Sequence, residues 1–368
     1  MPKAQETILE IHLDALTHNF NYLKSKLKPK TKFLAVVKAF AYGSCSVEIA
    51  KHLETLNVDY FAVAYTNEGV ALRDAGITTP ILVLHPQATN FKIIIERCLE
   101  PSIYSPKILR EFIAVAEEQK QNDYPIHIKF NTGLNRLGFW HNDVDYITSH
   151  LKETKSILVK SLFSHLAASE DESEKEFSLR QIKDFKTITT DFESQIEYLP
   201  WLHLCNTSGV INYPEAHFDM VRCGIGLYGF GNSAKEDQNL KPIAKLKSII
   251  SQIHMIEKDE TVGYNRAYTS SGFEKIATIP IGHADGISRQ FGNGAGNVFI
   301  NNQKAPIIGN VCMDMIMVNV TNIGCKEGDE VVIFDGNHKV SNFAESIETI
   351  SYEILSAVSQ RVKRVFYR

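Results

Sequence analysis

Lys38 closes the apolar run FLAVV (Phe33–Val37) and is followed closely by Tyr42 and Gly43. A lysine in that place has three readings. Its stem lies along apolar surface with the ammonium in water, or it is half of an ion pair, or it projects into a partly desolvated pocket. In the last case burial lowers its pKa and the free amine can condense with an aldehyde. Other polar residues follow apolar runs in the same way: His165 after ILVKSLF, Asn206 and Thr207 after WLHLC, Arg222 within HFDMVRC, and Arg136 in NTGLNRLGF after IHIKF. The stretch VRCGIGLYG adds a glycine-bearing turn through which backbone N–H groups can approach an anion. Asn206, Thr207 and Tyr42 supply further amide and hydroxyl donors. An amine facing a phosphate cradle, with an arginine available for a ring nitrogen, is the combination expected of pyridoxal 5'-phosphate, whose aldehyde bonds to lysine.

The elements that must position these groups are short apolar runs with amphipathic segments between them. FLAVV, YFAVA, ILVL, IHIKF, ILVKSLF, WLHLC and HFDMVRC read as seven strands, and SVEIAKHLETL and SPKILREFIAVAEEQ read as helices with apolar residues recurring at three and four. Such alternation implies parallel strands with helical crossovers, in a closed (β/α)8 barrel or an open doubly wound sheet. In a barrel, groups at the C-terminal strand ends share one rim, where the βα loops lie. After about Asn232 the pattern changes. KLKSIISQIHMI, EKIATIPIGH, NVFINNQ, MIMVNVTN and DEVVIF are strand-like and separated by turn residues, predicting an antiparallel domain, and the final segment FAESIETISYEILSAVSQRVKR reads as helical. The expected division is an α/β barrel over residues 1–235 and a β-rich domain over 236–368.

The composition narrows the partners. With 39 basic against 43 acidic side chains the formal charge is −4, and no basic block stands out, which argues against docking on nucleic acid or anionic lipid and leaves a small molecule as the expected partner. The 44% hydrophobic content is that of a folded soluble protein. Six cysteines without a C-x-x-C pair suggest free thiols in a reducing compartment, and no metal site is read. The N-terminus lacks the apolar core of a signal peptide and no run reaches transmembrane length, so a cytoplasmic protein is expected.

The sequence resembles the alanine racemase family of fold-type III pyridoxal-phosphate enzymes. AVVKAFAYG is similar to the family's AVVKANAYG signature, and the likeness continues through NTGLNRLGF, HLCNTSG, VRCGIGLYG, VGYNRAY, IGHADG, GNVCMDM and ISYEILSAVSQRVKRVF. The resemblance implies an N-terminal (β/α)8 TIM-like barrel, a C-terminal mostly-β domain joined by a strand from around ILEIHL, and a head-to-tail homodimer with shared active sites. It implies interconversion of L- and D-alanine, and D-alanine for peptidoglycan. Lys38 would bind the cofactor and act as base on the D-face of the substrate. Tyr264 would be the base on the L-face, reaching the site from the other subunit. A hydrogen-bonded chain of Tyr264, His165, Arg222 and His203 would stabilise the phenolate, with Arg222 facing the pyridine nitrogen. Tyr42, Asn206, Thr207, Gly224, Ile225 and Tyr352 would hold the phosphate. Arg136 would contact the cofactor's phenolic oxygen and the substrate carboxylate, braced by Lys129, which is often carbamylated in the family. Met313 and Asp314 would come from the other subunit. The chain departs from the family pattern at Phe40, Ser44, Cys45, Asn131 and Asn135, and at His283, which stands where a tyrosine usually lines the substrate entrance.

Four other readings compete. A racemase for serine or another small amino acid could use the same groups. A non-catalytic pyridoxal-phosphate homeostasis protein shares the barrel and the lysine but lacks the β-rich domain and the partner tyrosine. Decarboxylases of this fold set a carboxylate against the ring nitrogen, where Arg222 stands here. A barrel metallohydrolase would use His127, His165, His203 and Lys129, although the H-x-H and H-E-x-x-H spacings are missing.

Overall fold

The computed structural model describes residues 4–368, and the chain divides into two compact units. Thr17–Ala39 and Ser46–Leu240 form one. The residues through Leu16, Phe40–Cys45 and Lys241–Arg368 form the other.

Strand β1 (Ile8–His12) belongs to the second unit. The first unit is built on β2 (Lys32–Val36), β3 (Tyr60–Val63), β4 (Ile81–Val83), β5 (Glu100–Ile103), β6 (Tyr124–Lys129), β7 (Ile157–Phe163), β8 (Trp201–His203) and β9 (Met220–Cys223). All pair in parallel, and β9 returns to β2, setting Arg222 beside Leu34 and Cys223 beside Ala35. The sheet is therefore a closed eight-stranded barrel, which excludes the open doubly wound alternative. Strand segments such as Phe33–Ala35 and Phe61–Val63 are buried throughout, so they read as continuous apolar runs rather than alternating ones. The expected helices form at Ser46–Thr55 and Pro106–Glu118. Ser105 caps the second of these through its hydroxyl, with Pro106 in the first turn, where a missing N–H costs nothing.

The eighth strand, β5, is absent from the seven read in the sequence. Its residues are Glu-Pro-Ser-Ile, and a proline inside four residues reads as a break.

The second unit holds β10 (Ala244–Ile249), β11 (Gln252–Ile256), β12 (Thr261–Val262), β13 (Tyr268–Thr269), β14 (Glu274–Ile279), β15 (Asn297–Ile300), β16 (Gln303–Ile308), β17 (Ile316–Asn319), β18 (Glu330–Phe334) and β19 (Lys363–Tyr367). Nine of its strands form a sheet in the order β11-β14-β17-β16-β15-β18-β10-β1-β19, and β12 and β13 form a separate ribbon. The sheet is not wholly antiparallel, because β1 pairs β19 in parallel. The terminal segment differs from the helical expectation. Two short helices, Val340–Glu345 and Ser351–Ala357, give way to β19, whose Val365, Phe366 and Tyr367 favour a pleated strand. No helix among the described residues is long and apolar enough to cross a membrane.

Candidate active site

Lys38 follows β2 directly and opens a single left-handed turn, Lys38–Tyr42, in which Ala39, Phe40, Ala41 and Tyr42 have φ of 52°, 54°, 52° and 51°. Four consecutive L-residues in this region are costly, so the turn needs external anchors. Glu68 is one: its Oε1 accepts from the Ala39 N–H at 2.6 Å while Oε2 accepts from Ala64 and Tyr65 at 2.7 and 3.1 Å. In the other unit, Arg364 donates to the Gly43 carbonyl from Nε and Nη2 at 3.0 and 2.9 Å. The amine of Lys38 has its pKa lowered, chiefly by burial and then by Arg136, with Glu68 opposing. Its neutral, nucleophilic form is favoured accordingly.

Arg222, on β9, is buried and heavily tied. Nη1 donates to His203 Nδ1 at 2.8 Å and to the His203 carbonyl at 3.2 Å. Nη2 donates to the Ser164 and Leu204 carbonyls at 2.6 and 2.9 Å and to His165 Nδ1 at 3.1 Å. Only the Nε–H of this guanidinium is left without a partner among the described residues. Burial brings its pKa down to about 10, so it stays protonated at neutral pH. Because a guanidinium only donates, His165 and His203 must offer lone pairs at Nδ1, and both are held well below the ordinary histidine value by burial and then by Arg222.

Lys129, at the end of β6, is buried with its ammonium 5.8 Å from the centre of the Phe163 ring. Burial, then Arg136, Arg222 and Lys38, push its pKa down to about 8. Arg136 is exposed, in a loop shaped by Asn131, whose Oδ1 accepts from the N–H groups of Gly133 and Asn135 at 3.2 and 2.9 Å. That network fixes the turn that carries Asn135 and Arg136. The guanidinium of Arg136 makes no hydrogen bond or ion pair with a described residue. Lys38, Lys129, Arg136 and Arg222 thus share one rim with Glu68 as the carboxylate acting on Lys38.

The glycine turn and the start of helix Thr207–Asn212 are tied together. The N–H groups of Gly224 and Gly226 both donate to Thr207 Oγ1 at 3.3 Å. A Cβ on Gly226 would stand 2.5 Å from Thr207 Cγ2, so this close approach requires glycine. Asn206 has a positioning task as well: its Oδ1 caps the helix by accepting from Gly209 N–H at 2.8 Å and accepts from Ser169 Oγ at the same distance. Ile225 begins the short 3₁₀ segment Ile225–Tyr228.

Tyr264, His283, Met313, Asp314 and Tyr352 lie in the strand-rich unit. Tyr264 is 73% exposed and Met313 59% exposed. The loops carrying them are linked: Asn310 Nδ2 donates to the Tyr264 carbonyl at 3.1 Å, and His283 N–H to the Cys312 carbonyl at 2.9 Å. Asp314 accepts from Arg361, which also grips Asp285. The rings of Tyr42 and Tyr352 lie 6.0 Å apart, with the phenol of Tyr42 raised by burial.

Several residues of the site escaped the sequence reading. Glu68, Ser164 and Arg364 act through backbone groups, which leave no motif. Ser161 and Glu100 join His127 inside the barrel, and only a strict period-of-two reading of β6 and β7 would have put His127 and Ser161 on inward faces. Both ring nitrogens of His127 and of His203 are engaged in hydrogen bonds to protein groups, so neither is available to a metal ion.

The rim can hold a dianionic phosphate and a carboxylate, with a nucleophilic amine beside a fixed cationic donor. Comparison with known proteins agrees. Residues 11–231 match the family described as alanine racemase, N-terminal domain, and residues 243–366 match alanine racemase, C-terminal domain. The alanine racemase of Methanococcus maripaludis is 36% identical over 368 residues, covering 97% of each chain. Among solved structures, an alanine racemase of Clostridium difficile 630 aligns with a TM-score of 0.92 at 34% identity, covering 100% of this chain and 97% of that one. That of Bartonella henselae with covalently bound pyridoxal phosphate aligns with a TM-score of 0.89 at 27% identity, covering 99% and 100%.

Proposed function

The chain belongs to the alanine racemase family, and from that premise we propose that it racemises alanine with pyridoxal 5'-phosphate at the barrel rim, Lys38 and Tyr264 serving as bases on opposite faces of Cα. The observation that carries this reading is Arg222. Its Nη hydrogens are all spent on protein acceptors and its Nε–H alone is free, as a site built to donate one hydrogen bond to a ring nitrogen requires.

When bound, pyridoxal phosphate supplies an electron-withdrawing ring that acidifies the substrate's Cα–H. Lys38, with its lowered pKa, takes or returns a proton on one face. Arg222 keeps its own proton, so it would leave a ring nitrogen facing it unprotonated, and the ring would draw electrons less strongly than one facing a carboxylate. Fast return of the proton is then favoured over side reactions. Arg136 offers an exposed, unengaged guanidinium to the substrate carboxylate. A carbamate on Lys129 would replace a cation among cations by an anion that braces Arg136. The glycine turn around Gly224 and Ile225, together with Thr207, would hold the phosphate.

On the same reading the enzyme is a cytoplasmic homodimer that supplies D-alanine for peptidoglycan, and each site receives Tyr264, Met313 and Asp314 from the partner subunit. The exposure of Tyr264 and Met313 supports that arrangement. His283, exposed where the family often has tyrosine, makes serine the second substrate to test. Purified protein incubated in D2O with L-alanine or L-serine should lose optical rotation and gain deuterium at Cα, faster with alanine. Borohydride reduction and peptide mapping should place the cofactor label on Lys38. An unlabelled Lys38, or no exchange with either amino acid, refutes the proposal.

A further inference from the structure

From Arg222 a line of hydrogen bonds runs into the barrel interior. Arg222 Nη1 meets His203 Nδ1 at 2.8 Å, His203 Nε2 meets Ser161 Oγ at 2.8 Å, Ser161 Oγ meets His127 Nδ1 at 2.6 Å, and His127 Nε2 meets Glu100 Oε2 at 2.7 Å. Tyr60 also donates to Glu100 Oε2, at 3.1 Å. The five members of the line come from five consecutive strands, β9 to β5, and His203, Ser161 and His127 are fully buried.

The two ends determine every proton between them. A guanidinium can only donate and a carboxylate can only accept. His203 must therefore accept at Nδ1 and donate from Nε2, Ser161 must pass its hydrogen to His127 Nδ1, and His127 must donate from Nε2 to Glu100. Both ends oppose the reversed order, which would set an N–H of His203 against an N–H of Arg222 and the Nε2 lone pair of His127 against the Glu100 carboxylate. Since arginine does not release its proton, the line delivers no proton to the rim. What it carries is orientation.

We infer that Glu100, acting through His127 and Ser161, is a positioning residue for racemisation: it holds His203 in the Nε2–H tautomer whose Nδ1 lone pair orients Arg222. The inference rests on the reading in which the Nε–H of Arg222 addresses the cofactor ring. Without an acceptor at the Glu100 end, only the contact with Arg222 opposes the reversed order, in which an Nδ1–H of His203 turns the guanidinium away from its partner.

The test is ¹⁵N NMR of histidine-labelled enzyme with and without pyridoxal phosphate, alongside kinetics. In the parent enzyme His127 and His203 should both be neutral with the proton on Nε2, in either state of loading. Glu100→Leu should bring in a second His203 population protonated at Nδ1 and lower kcat about ten-fold with KM within about two-fold, the cost of a misaligned group. Glu100→Gln, whose amide oxygen still accepts, should rescue the tautomer and most of kcat. Ser161→Ala, a smaller change in the middle of the line, should repeat the Glu100→Leu result if that variant folds poorly. Parent-like tautomers in both Glu100→Leu and Ser161→Ala overturn the inference, as does a tautomer shift with unchanged kcat. Failure of the parent enzyme to racemise any amino acid would instead remove the functional reading, while the tautomers of the unloaded protein still judge the line.

Discussion

Lys129 is a buried amine among like charges, and its lowered pKa is a statement about stability. Between about 8 and the ordinary lysine value of 10.5 the unfolded chain binds more protons than the folded one, so stability should rise with pH across that window. Below it the whole penalty is present, roughly 3 kcal/mol. In CO2-free buffer near neutral pH, Lys129→Met should therefore raise the free energy of unfolding by up to roughly that amount, with the gain fading once the unfolded amine also loses its proton. Denaturant titrations at several pH values measure it. Added bicarbonate should remove the same penalty from the parent protein, because a carbamate turns repulsion from Arg136 and Arg222 into attraction. A parent midpoint indifferent to bicarbonate would count against carbamylation. Tyr264 makes a kinetic prediction at the same scale. Tyr264→Phe removes one acid–base group and should slow racemisation about 10²- to 10⁴-fold. Lys38 remains, so the Cα hydrogen of D-alanine should still exchange with D2O while that of L-alanine does not. Equal loss of both exchanges would show that the two residues do not divide the faces.

The left-handed turn after Lys38 is the element with the most conformational strain near the site, and it can be pushed both ways. Ala39 has φ of 52°, a value glycine adopts freely, so Ala39→Gly should stabilise the protein by roughly 0.5 kcal/mol after the unfolded-state entropy of glycine is set against the relief. Gly43 has φ of +82°, and a Cβ there would lie 2.2 Å from the Leu355 carbonyl oxygen. Gly43→Ala should therefore destabilise by more than about 2 kcal/mol. Chemical denaturation decides both signs, and a stabilised Gly43→Ala protein would contradict the packing of this turn. The turn also marks the limit of what the residues disclose. Apolar runs and helix periodicity were enough for parallel strands with helical crossovers, only the family resemblance favoured a closed barrel over an open sheet, and strand-end positions were enough to bring Lys38, Arg136, His165 and Arg222 toward one rim. Nothing local in AFAY announces left-handed backbone, since a propensity favouring right-handed helix is overruled by Glu68 and Arg364, which are distant in sequence. Pro101 disguised β5 for a similar reason: a parallel barrel strand is held by its neighbours more than by its own composition. Ser161 was hidden, and His127 was weighed only as a metal ligand, because both faces of a barrel strand are buried, which blurs the alternation that exposes inward polar residues on half-solvated sheets.

At the scale of the whole molecule, the question is which chain supplies the second base. Lys38 and Tyr264 fall in different units of the chain, and Tyr264 and Met313 are exposed. If two copies exchange these residues around a two-fold axis, each site takes its lysine from one protomer and its tyrosine from the other. Complementation distinguishes this from a site within one chain. Lys38→Ala and Tyr264→Phe dimers should each be nearly inactive in racemisation. After dissociation and random reassociation in equal amounts, half of the dimers would be hybrids. Each hybrid carries one site with both residues intact and one with neither, so racemisation should return to about a quarter of the parent rate per site. If Lys38 and Tyr264 instead acted within one chain, no hybrid would contain an intact pair and the mixture would stay at the level of its components. On that arrangement recovery should also depend on protein concentration, vanishing at dilutions where a dimer dissociates, because a site shared between two copies would be complete only in the assembled pair.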